Sequence, residues 1–312
     1  MRYRTLGASG LLVSVVGLGC NNFGGRLDLD RTRAVVDAAI DAGITLLDTA
    51  DVYGDKGGSE TFLGQVLEGR RDRVVLATKW GGSGMEYGPA AGSKGGRAFI
   101  RRAVEESLRR LRTDHIDLYQ FHTPDLVTPI AETIAAVSEL VAEGKVRYVG
   151  HSNFNGWQIA EAAHTAREIG GVPFVSAQNH WSLLEREVER EVVPAARHYG
   201  LGVLPYFPLA SGLLTGKVRR ATGIPDGTRL AARPHWVTEE RLDKVERLAE
   251  WGDKHDRTLL EIGIGALAAQ PGCSSVIAGA TSPAQVVANV QAGEWIPTDE
   301  ELAEIDGVLA GT

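Results

Sequence analysis

The stretch IRRAVEESLRRLRTDHIDLYQFH, residues 100–122, decides the fold. Residues 100–111 form a helix-length amphipathic segment. Residues 116–121 form a short apolar run of strand length, and it stops on a polar side chain, His122. The same unit recurs on both sides. Residues 31–42 precede Gly43, a natural helix stop, and then the strand-like run 44–48. Residues 60–67 precede 74–78, residues 130–143 precede Gly144 and 146–150, and residues 157–169 precede 174–177. Residues 185–199 lead into 202–204, and 259–269 into 275–278. With 15–18 near the start, eight strands are expected.

The strand ends near 48, 79, 121, 151, 178 and 205 lie roughly 25–45 residues apart, the size of a repeated βα unit. Strands that alternate with helices imply a parallel sheet, and eight of them predict closure into an α/β barrel, (β/α)8. Before the first strand, residues 3–6 and 11–14 flank Gly7-Ala8-Ser9-Gly10, the pattern of a β-hairpin that plugs one end of the barrel. Additional helices are expected at the C-terminus. The competing architecture is an open doubly wound sheet, which calls for a glycine-rich dinucleotide fingerprint after an early strand, and none is there. Residues 263–268 do fit a relaxed G-x-G-x-x-A motif, but they lie inside a helical pattern. They read as small residues for close helix packing. Residues 81–97 and 207–238 are irregular, and no linker divides the chain, so residues 1–312 read as one domain.

Composition narrows the function. The 312 residues carry 33 Lys and Arg against 40 Asp and Glu, a net charge of −7, which argues against a duplex nucleic-acid binder. Cys20 and Cys273 stand far apart and form no ligand-spaced cluster. There is no apolar signal core at the N-terminus. Residues 262–293 carry no charge, yet turn signals break them before they reach the ~20 apolar residues of a membrane span. A soluble cytoplasmic protein with no membrane partner is expected.

In a closed βα barrel the chemistry sits where the strands end. Those positions hold Asp48, with Tyr53 five residues on, then Lys79, His122, Ser152-Asn153, Gln178 and Tyr206. A free phenol has a pKa near 10, too high to exchange protons readily at pH 7. A lysine ammonium beside it favours phenolate, an aspartate keeps the lysine charged, and a histidine can orient the same substrate oxygen. Such a group suits protonation of a carbonyl oxygen while a hydride arrives at carbon, and hydride chemistry requires a cofactor.

Residues 47–54 (LDTADVYG), 77–80 (ATKW) and 117–122 (DLYQFH) resemble the three signatures of the aldo-keto reductases. Residues 149–154, 208–217 and 279–283 continue the likeness in order, closest to the bacterial and potassium-channel β-subunit-like branches. The resemblance implies a (β/α)8 barrel that reduces an aldehyde or ketone with an extended NADP(H) or NAD(H). Tyr53 would be the general acid, Lys79 and Asp48 its partners, and His122 the substrate-orienting donor. Ser152, Asn153 and Gln178 would hold the nicotinamide carboxamide, and Tyr206 would stack on its ring. Phe207, Pro208, Leu209, Ala210, Ser211, Gly212 and Lys217 would line the pyrophosphate, with Arg229 adding a phosphate contact. Gly279, Thr281, Gln285 and Asn289 would surround the adenosine end, and Cys20, Asn21 and Asp48 would approach the ribose side.

The chain departs from the family pattern at Phe207, where serine is common, and at Ala288, where an acid is usual. His151 stands where a small apolar residue is frequent. The basic residues Lys217, Arg219, Arg220, Arg229 and Arg233, against Asp226 alone, favour NADP(H) over NAD(H). Trp80, Trp181 and Trp236 are candidate walls for the substrate pocket. Two alternatives stand beside the reductase: a cofactor-binding redox sensor with slow turnover, and a metal-dependent barrel hydrolase using His122, His151 and His180. The second lacks a His-x-His on strand one and an acid on strand eight, so no metal is expected.

Overall fold

In the computed structural model, which describes residues 1–311, every one of those apolar runs is a strand. β1 (Tyr3–Thr5) and β2 (Leu12–Ser14) make the antiparallel hairpin, with Tyr3 opposite Ser14 and Thr5 opposite Leu12. Eight parallel strands follow: β3 (Val16–Gly19), β4 (Leu46–Asp48), β5 (Val75–Trp80), β6 (Ile116–Phe121), β7 (Val146–Ser152), β8 (Ser176–Gln178), β9 (Gly202–Val203) and β10 (Val276–Gly279). Each pairs with the next from β3 to β9, and β10 pairs back onto β3 from Val276–Val16 to Gly279–Gly19. Bridges Val203–Cys273 and Tyr206–Ile277 link the two remaining segments and complete the ring. The fold is a (β/α)8 barrel.

The outer layer consists of α1 (Leu29–Asp41), α2 (Tyr53–Val66), α3 (Arg97–Leu111), α4 (Ile130–Ala142), α5 (Gly156–Ile169), α6 (Val192–His198), α7 (Glu239–His255), α8 (Leu259–Glu261), α9 (Leu267–Ala269), α10 (Pro283–Ala292) and α11 (Asp299–Ala310). Side chains start several of them. Asp28 accepts from Arg31 N ahead of α1, and Asn155 with Gln158 forms a capping box ahead of α5. Their apolar faces, Val35, Ala103, Val137 and Ile159 among them, join the outward strand residues in one buried core.

The hairpin fills the lumen at the N-terminal ends of the strands. Leu6, Leu11 and Val13 pack with Leu46, Ala77, Leu118, Leu204 and Ile277. Gly7 makes this possible: its φ is +56°, and a Cβ there would lie 2.3 Å from the Gly200 carbonyl oxygen. A second apolar cluster joins α7 and α11 to the segment after β9, through Leu213, Leu230, Leu248, Trp251, Trp295 and Ile305.

Two helix expectations need correction. Residues 185–199 are not one helix: a 3-10 turn (Glu187–Glu189) is followed by α6. Pro194 explains the break, because it has no N–H to donate and is accepted only in the first turn of a helix. Residues 259–269 are helical but widen into a π turn over Ile262–Ala266. The small residues there are used for close contact. A Cβ on Gly265 would lie 2.7 Å from the Trp295 ring, and one on Gly263 would lie 3.1 Å from Leu209 and Leu214.

Candidate active site

The polar strand ends converge. Asp48 closes β4 and Lys79 lies on β5, and both are buried. The Lys79 ammonium meets Asp48 Oδ2 at 2.7 Å and donates to the Thr49 carbonyl at 2.8 Å. The other carboxylate oxygen of Asp48 accepts from Gln120 Nε2 at 3.1 Å and Gln178 Nε2 at 2.9 Å. A buried ion pair is tolerated only when its remaining lone pairs are satisfied in this way. Burial works against the Lys79 charge, but Asp48 and Tyr53 outweigh it, and its pKa stands above the ordinary lysine value.

Tyr53 follows the tight turn after β4, and the Lys79 ammonium sits 5.1 Å from its ring centre. Burial raises the Tyr53 pKa, and Lys79 pulls it back only partly. That corrects the expectation of a depressed phenol: desolvation outweighs the ammonium, and the hydroxyl keeps its proton at neutral pH. The His122 ring meets Tyr53 edge-on at 5.8 Å. Burial, with the charges of Lys79 and Lys94, lowers the His122 pKa to about 3, so the imidazole is neutral. Its Nδ1 is buried without a hydrogen-bond partner, which leaves Nε2 as the ring nitrogen for the cleft. The group therefore presents one neutral hydroxyl donor and one neutral imidazole at a common point.

From these residues a cleft of about 850 Å³ runs across the C-terminal face to α10. Cys20, Asn21, Ser152, Asn153, Gln178 and Tyr206 line its deep end. Phe207, Pro208, Leu209, Ser211, Gly212, Lys217 and Arg229 line the middle, and Gly279, Thr281, Gln285 and Asn289 the far end. Lys79 lies behind this wall, fully covered, and Ala210 is buried outside it. Asn22 and Arg26 also line the cleft. Neither has a sequence signal of its own beyond its closeness to Cys20 and Asn21.

Residues 207–212 have an unusual backbone. Phe207, Ala210 and Ser211 have φ of 52°, 46° and 60°, and Gly212 has 116°. Side-chain-bearing residues rarely adopt these values, and such strain gathers at binding sites. Inside the turn Ala210 N donates to the Phe207 carbonyl at 2.9 Å and Gly212 N to the Leu209 carbonyl at 2.8 Å, which fixes the loop that lines the cleft. The Ser211 hydroxyl is buried there with no partner. Arg229 crosses the cleft, 5.4 Å above the Phe207 ring, and donates to the amide oxygens of Asn21 and Asn22 at 3.2 Å each. At the far end Thr281 donates to Gln285 Oε1 through its backbone N (2.8 Å) and its hydroxyl (3.1 Å).

Several candidates lie elsewhere. Arg219 and Arg220 pair with Glu246, Glu239 and Asp243, and Arg233 stacks on Trp236, so only Lys217 and Arg229 of the basic segment reach the cleft. Trp80 is fully buried between Tyr119 and Phe121, and Trp181 is buried too. His151 is caged by Phe154 and Phe174 with neither nitrogen bonded. Among the described residues no three His, Cys, Asp or Glu side chains are grouped to hold a metal ion. None of the described helices is long and apolar enough to cross a membrane.

Barrel and cleft together define a class: a (β/α)8 protein with a buried Lys–Asp pair behind a tyrosine and a histidine at the C-terminal face. The aldo/keto reductase family profile matches residues 15–310, and the chain belongs to that family. It is 37% identical to the uncharacterized oxidoreductase YrpG of Bacillus subtilis, covering 100% of this chain and 97% of that one. It is 35% identical to a probable voltage-gated potassium channel subunit beta of Oryza sativa subsp. japonica, over 99% and 97%. Aldo-keto reductase YhdN of Bacillus subtilis is 32% identical, over 100% and 95%. The family is one of oxidoreductases that reduce small carbonyl compounds with a nicotinamide cofactor.

Proposed function

We propose that this protein reduces an aldehyde or ketone to an alcohol, reversibly, with Tyr53 as proton donor. The observation that carries the reading is the geometry at the strand ends: the buried Lys79–Asp48 pair at 2.7 Å stands 5.1 Å from the Tyr53 ring centre, with the His122 ring edge-on to Tyr53 at 5.8 Å. The cleft residues would hold a reduced nicotinamide, whose chemistry when bound would be hydride donation to the carbonyl carbon. The oxygen, gaining electron density, takes the Tyr53 proton, and Lys79 stabilises the phenolate left behind. His122 holds the same oxygen through Nε2 and fixes which face of the carbonyl is exposed. Ser152, Asn153 and Gln178 would hold the carboxamide, and Tyr206 would offer its ring as a stacking surface. The left-handed turn at 207–212, with Lys217 and Arg229, takes the phosphates, and Gly279, Thr281, Gln285 and Asn289 take the adenosine.

The preferred cofactor is NADP(H). Once Lys79 offsets Asp48, the cleft wall carries Arg26, Lys217 and Arg229 against Asp226, a surplus that favours the more highly charged dinucleotide. We place the protein in the cytoplasm, acting on a small-molecule carbonyl.

The test mixes purified protein with NADPH and 4-nitrobenzaldehyde and follows absorbance of the reduced nicotinamide. Tyr53→Phe should lower turnover by about 10²-fold or more, in line with the loss of a general acid, with cofactor binding retained. Near-normal turnover in that variant would remove Tyr53 from the role. Cofactor binding without turnover across a broad carbonyl panel would favour a sensor. Titration of tryptophan fluorescence with both reduced cofactors decides between them, and tighter binding of NADH would overturn the NADP(H) preference.

A further inference from the structure

The His122 side chain makes no hydrogen bond within the described residues: its Nδ1 is buried without a partner, and the residue lines the cleft. The orientation of the ring therefore depends on the backbone that carries it. That backbone has two tethers. The His122 N–H donates to the Trp80 carbonyl at 2.8 Å, and the His122 carbonyl accepts from Asn153 Nδ2 at 2.9 Å. The first is ordinary strand pairing. The second is a side chain, and it is only as firm as the side chain is.

Asn153 is held from three directions. Its backbone is left-handed (φ 62°), a conformation asparagine tolerates better than most residues, and its N–H donates to the Gln178 carbonyl at 3.0 Å. Its second amide hydrogen goes to Ser152 Oγ at 3.0 Å, and the Ser152 hydroxyl in turn donates to the Gln178 carbonyl at 2.8 Å. Its Oδ1 accepts from the Tyr206 hydroxyl at 2.8 Å. Tyr206 reaches across the end of β8 to do so, and its ring is stacked on His180 at 5.4 Å and 10°. Because the His122 carbonyl can only accept, the amide nitrogen must face it, and the tyrosine donor holds the amide in that sense.

We propose that the Tyr206 hydroxyl is a positioning group for the reaction, acting through Asn153 on His122, in addition to any contact its ring makes with the cofactor. The chain runs Tyr206 Oη to Asn153 Oδ1, Asn153 Nδ2 to His122 O, and so spans the ends of three strands. A ring without the hydroxyl stacks equally well and leaves the amide free to swing. This rests on the reading of His122 as the group that orients the carbonyl.

The experiment compares the intact protein with Tyr206→Phe, Asn153→Ala and the double variant. Carbonyl kcat/KM is measured with NADPH and 4-nitrobenzaldehyde, cofactor Kd by tryptophan fluorescence, and the His122 ring resonances by NMR on the cofactor-free protein. Loss of one neutral hydrogen bond predicts about a 5-fold fall in carbonyl kcat/KM for Tyr206→Phe, larger than the change in cofactor Kd. The double variant should be no worse than Asn153→Ala, since both break one chain. The His122 resonances should move in Tyr206→Phe. Unchanged resonances, singles that multiply in the double variant, or a loss confined to cofactor Kd would each overturn the proposal. An intact protein that does not turn over would sink the reductase reading and this role with it. Turnover indifferent to the hydroxyl sinks only the role.

Discussion

Replacing Asp51 with asparagine should stabilise the protein, and increasingly so as pH rises. Asp51 lies in the turn between Asp48 and Tyr53, fully buried, and neither carboxylate oxygen has a hydrogen-bond partner. Beside it Glu60 is also buried, but satisfied by Arg110 and Thr78 at 2.6 Å each. Burial first, and Glu60 second, raise the Asp51 pKa from 3.8 to about 7, against the pull of Arg110 and Lys79. The sign follows from linkage. Below 3.8 both states are protonated. Between 3.8 and about 7 the unfolded chain releases the proton and the folded one keeps it, so folding stability falls by up to ~1.4 kcal/mol per pH unit, then levels off. Over that interval the loss is about 4 kcal/mol at most. Asparagine has the same shape and no charge. Its stability advantage over the wild-type chain should widen by roughly 2–3 kcal/mol between pH 5 and pH 8. Urea unfolding at each pH measures it. A gap that stays constant across that range would refute the buried-acid argument.

His151 gives the mirror case. Burial lowers its pKa from 6.5 to about 3, so its contribution is complete above pH 6.5 and declines as pH falls. His151→Phe should flatten the acid side of the stability profile, by about 2 kcal/mol at pH 5, and an unaltered acid limb in thermal melts would count against the Phe154–Phe174 cage as its cause. Gly64→Ala should destabilise by about 1–3 kcal/mol, because the new Cβ would lie 2.3 Å from the Arg110 carbonyl oxygen and α2 must part from α3. A denaturation midpoint equal to that of the wild type would show that the helices yield freely. Carbonyl reduction should hold steady from about pH 6 to 9, since Tyr53 keeps its proton there, and alcohol oxidation should climb with pH; an oxidation rate independent of pH would mean that Tyr53 is not the exchanging group.

The barrel was legible because its signals are local and repeated. Each of the parallel strands is an apolar run with a helix ahead of it or a hairpin before it, and Gly43 and Gly144 mark where chains leave helices. The polar strand ends were legible for the same reason: a parallel barrel forces its functional side chains to the last residues of its strands, so Asp48, Lys79, His122 and Gln178 could be read in register. What was not legible depends on distant partners. The Tyr53 phenol was expected to be depressed by Lys79, but its covering by several loops is a tertiary fact, and burial prevails. The basic run 217–233 looked uniform, yet Arg219 and Arg220 are claimed by acids of α7, a helix that begins some twenty residues further on. Asp51 sat inside a quoted motif with nothing in the sequence to say that its carboxylate would be buried without a donor.

Strain in this protein is distributed unevenly between the two ends of the barrel. Of the eight non-glycine residues with left-handed backbone among those described, Arg112 and Asp256 merely cap α3 and α7. The other six, Asp55, Lys56, Asn153, Phe207, Ala210 and Ser211, all lie in the segments that follow β4, β7 and β9, Asp55 and Lys56 in the left-handed opening turn of α2. Each costs on the order of 1 kcal/mol or more, and the donorless Asp51 carboxylate lies in the same face. The opposite end is relaxed. The hairpin buries Leu6, Leu11 and Val13, and Asp117 at the start of β6 accepts from Arg71 and Arg147 at 2.7 Å and from Leu76 N at 2.9 Å. Strain of this size persists only where the surroundings over-determine it, and at 207–212 the surroundings are the cluster of Ala210, Leu213 and Leu214 with Leu230, Leu248 and Ile262. Relaxing residues 207–212 would therefore reshape the middle of the cleft wall, which they line. Loosening the apolar cluster around Leu213 and Leu214, not the hairpin, would remove the support that keeps those residues in place.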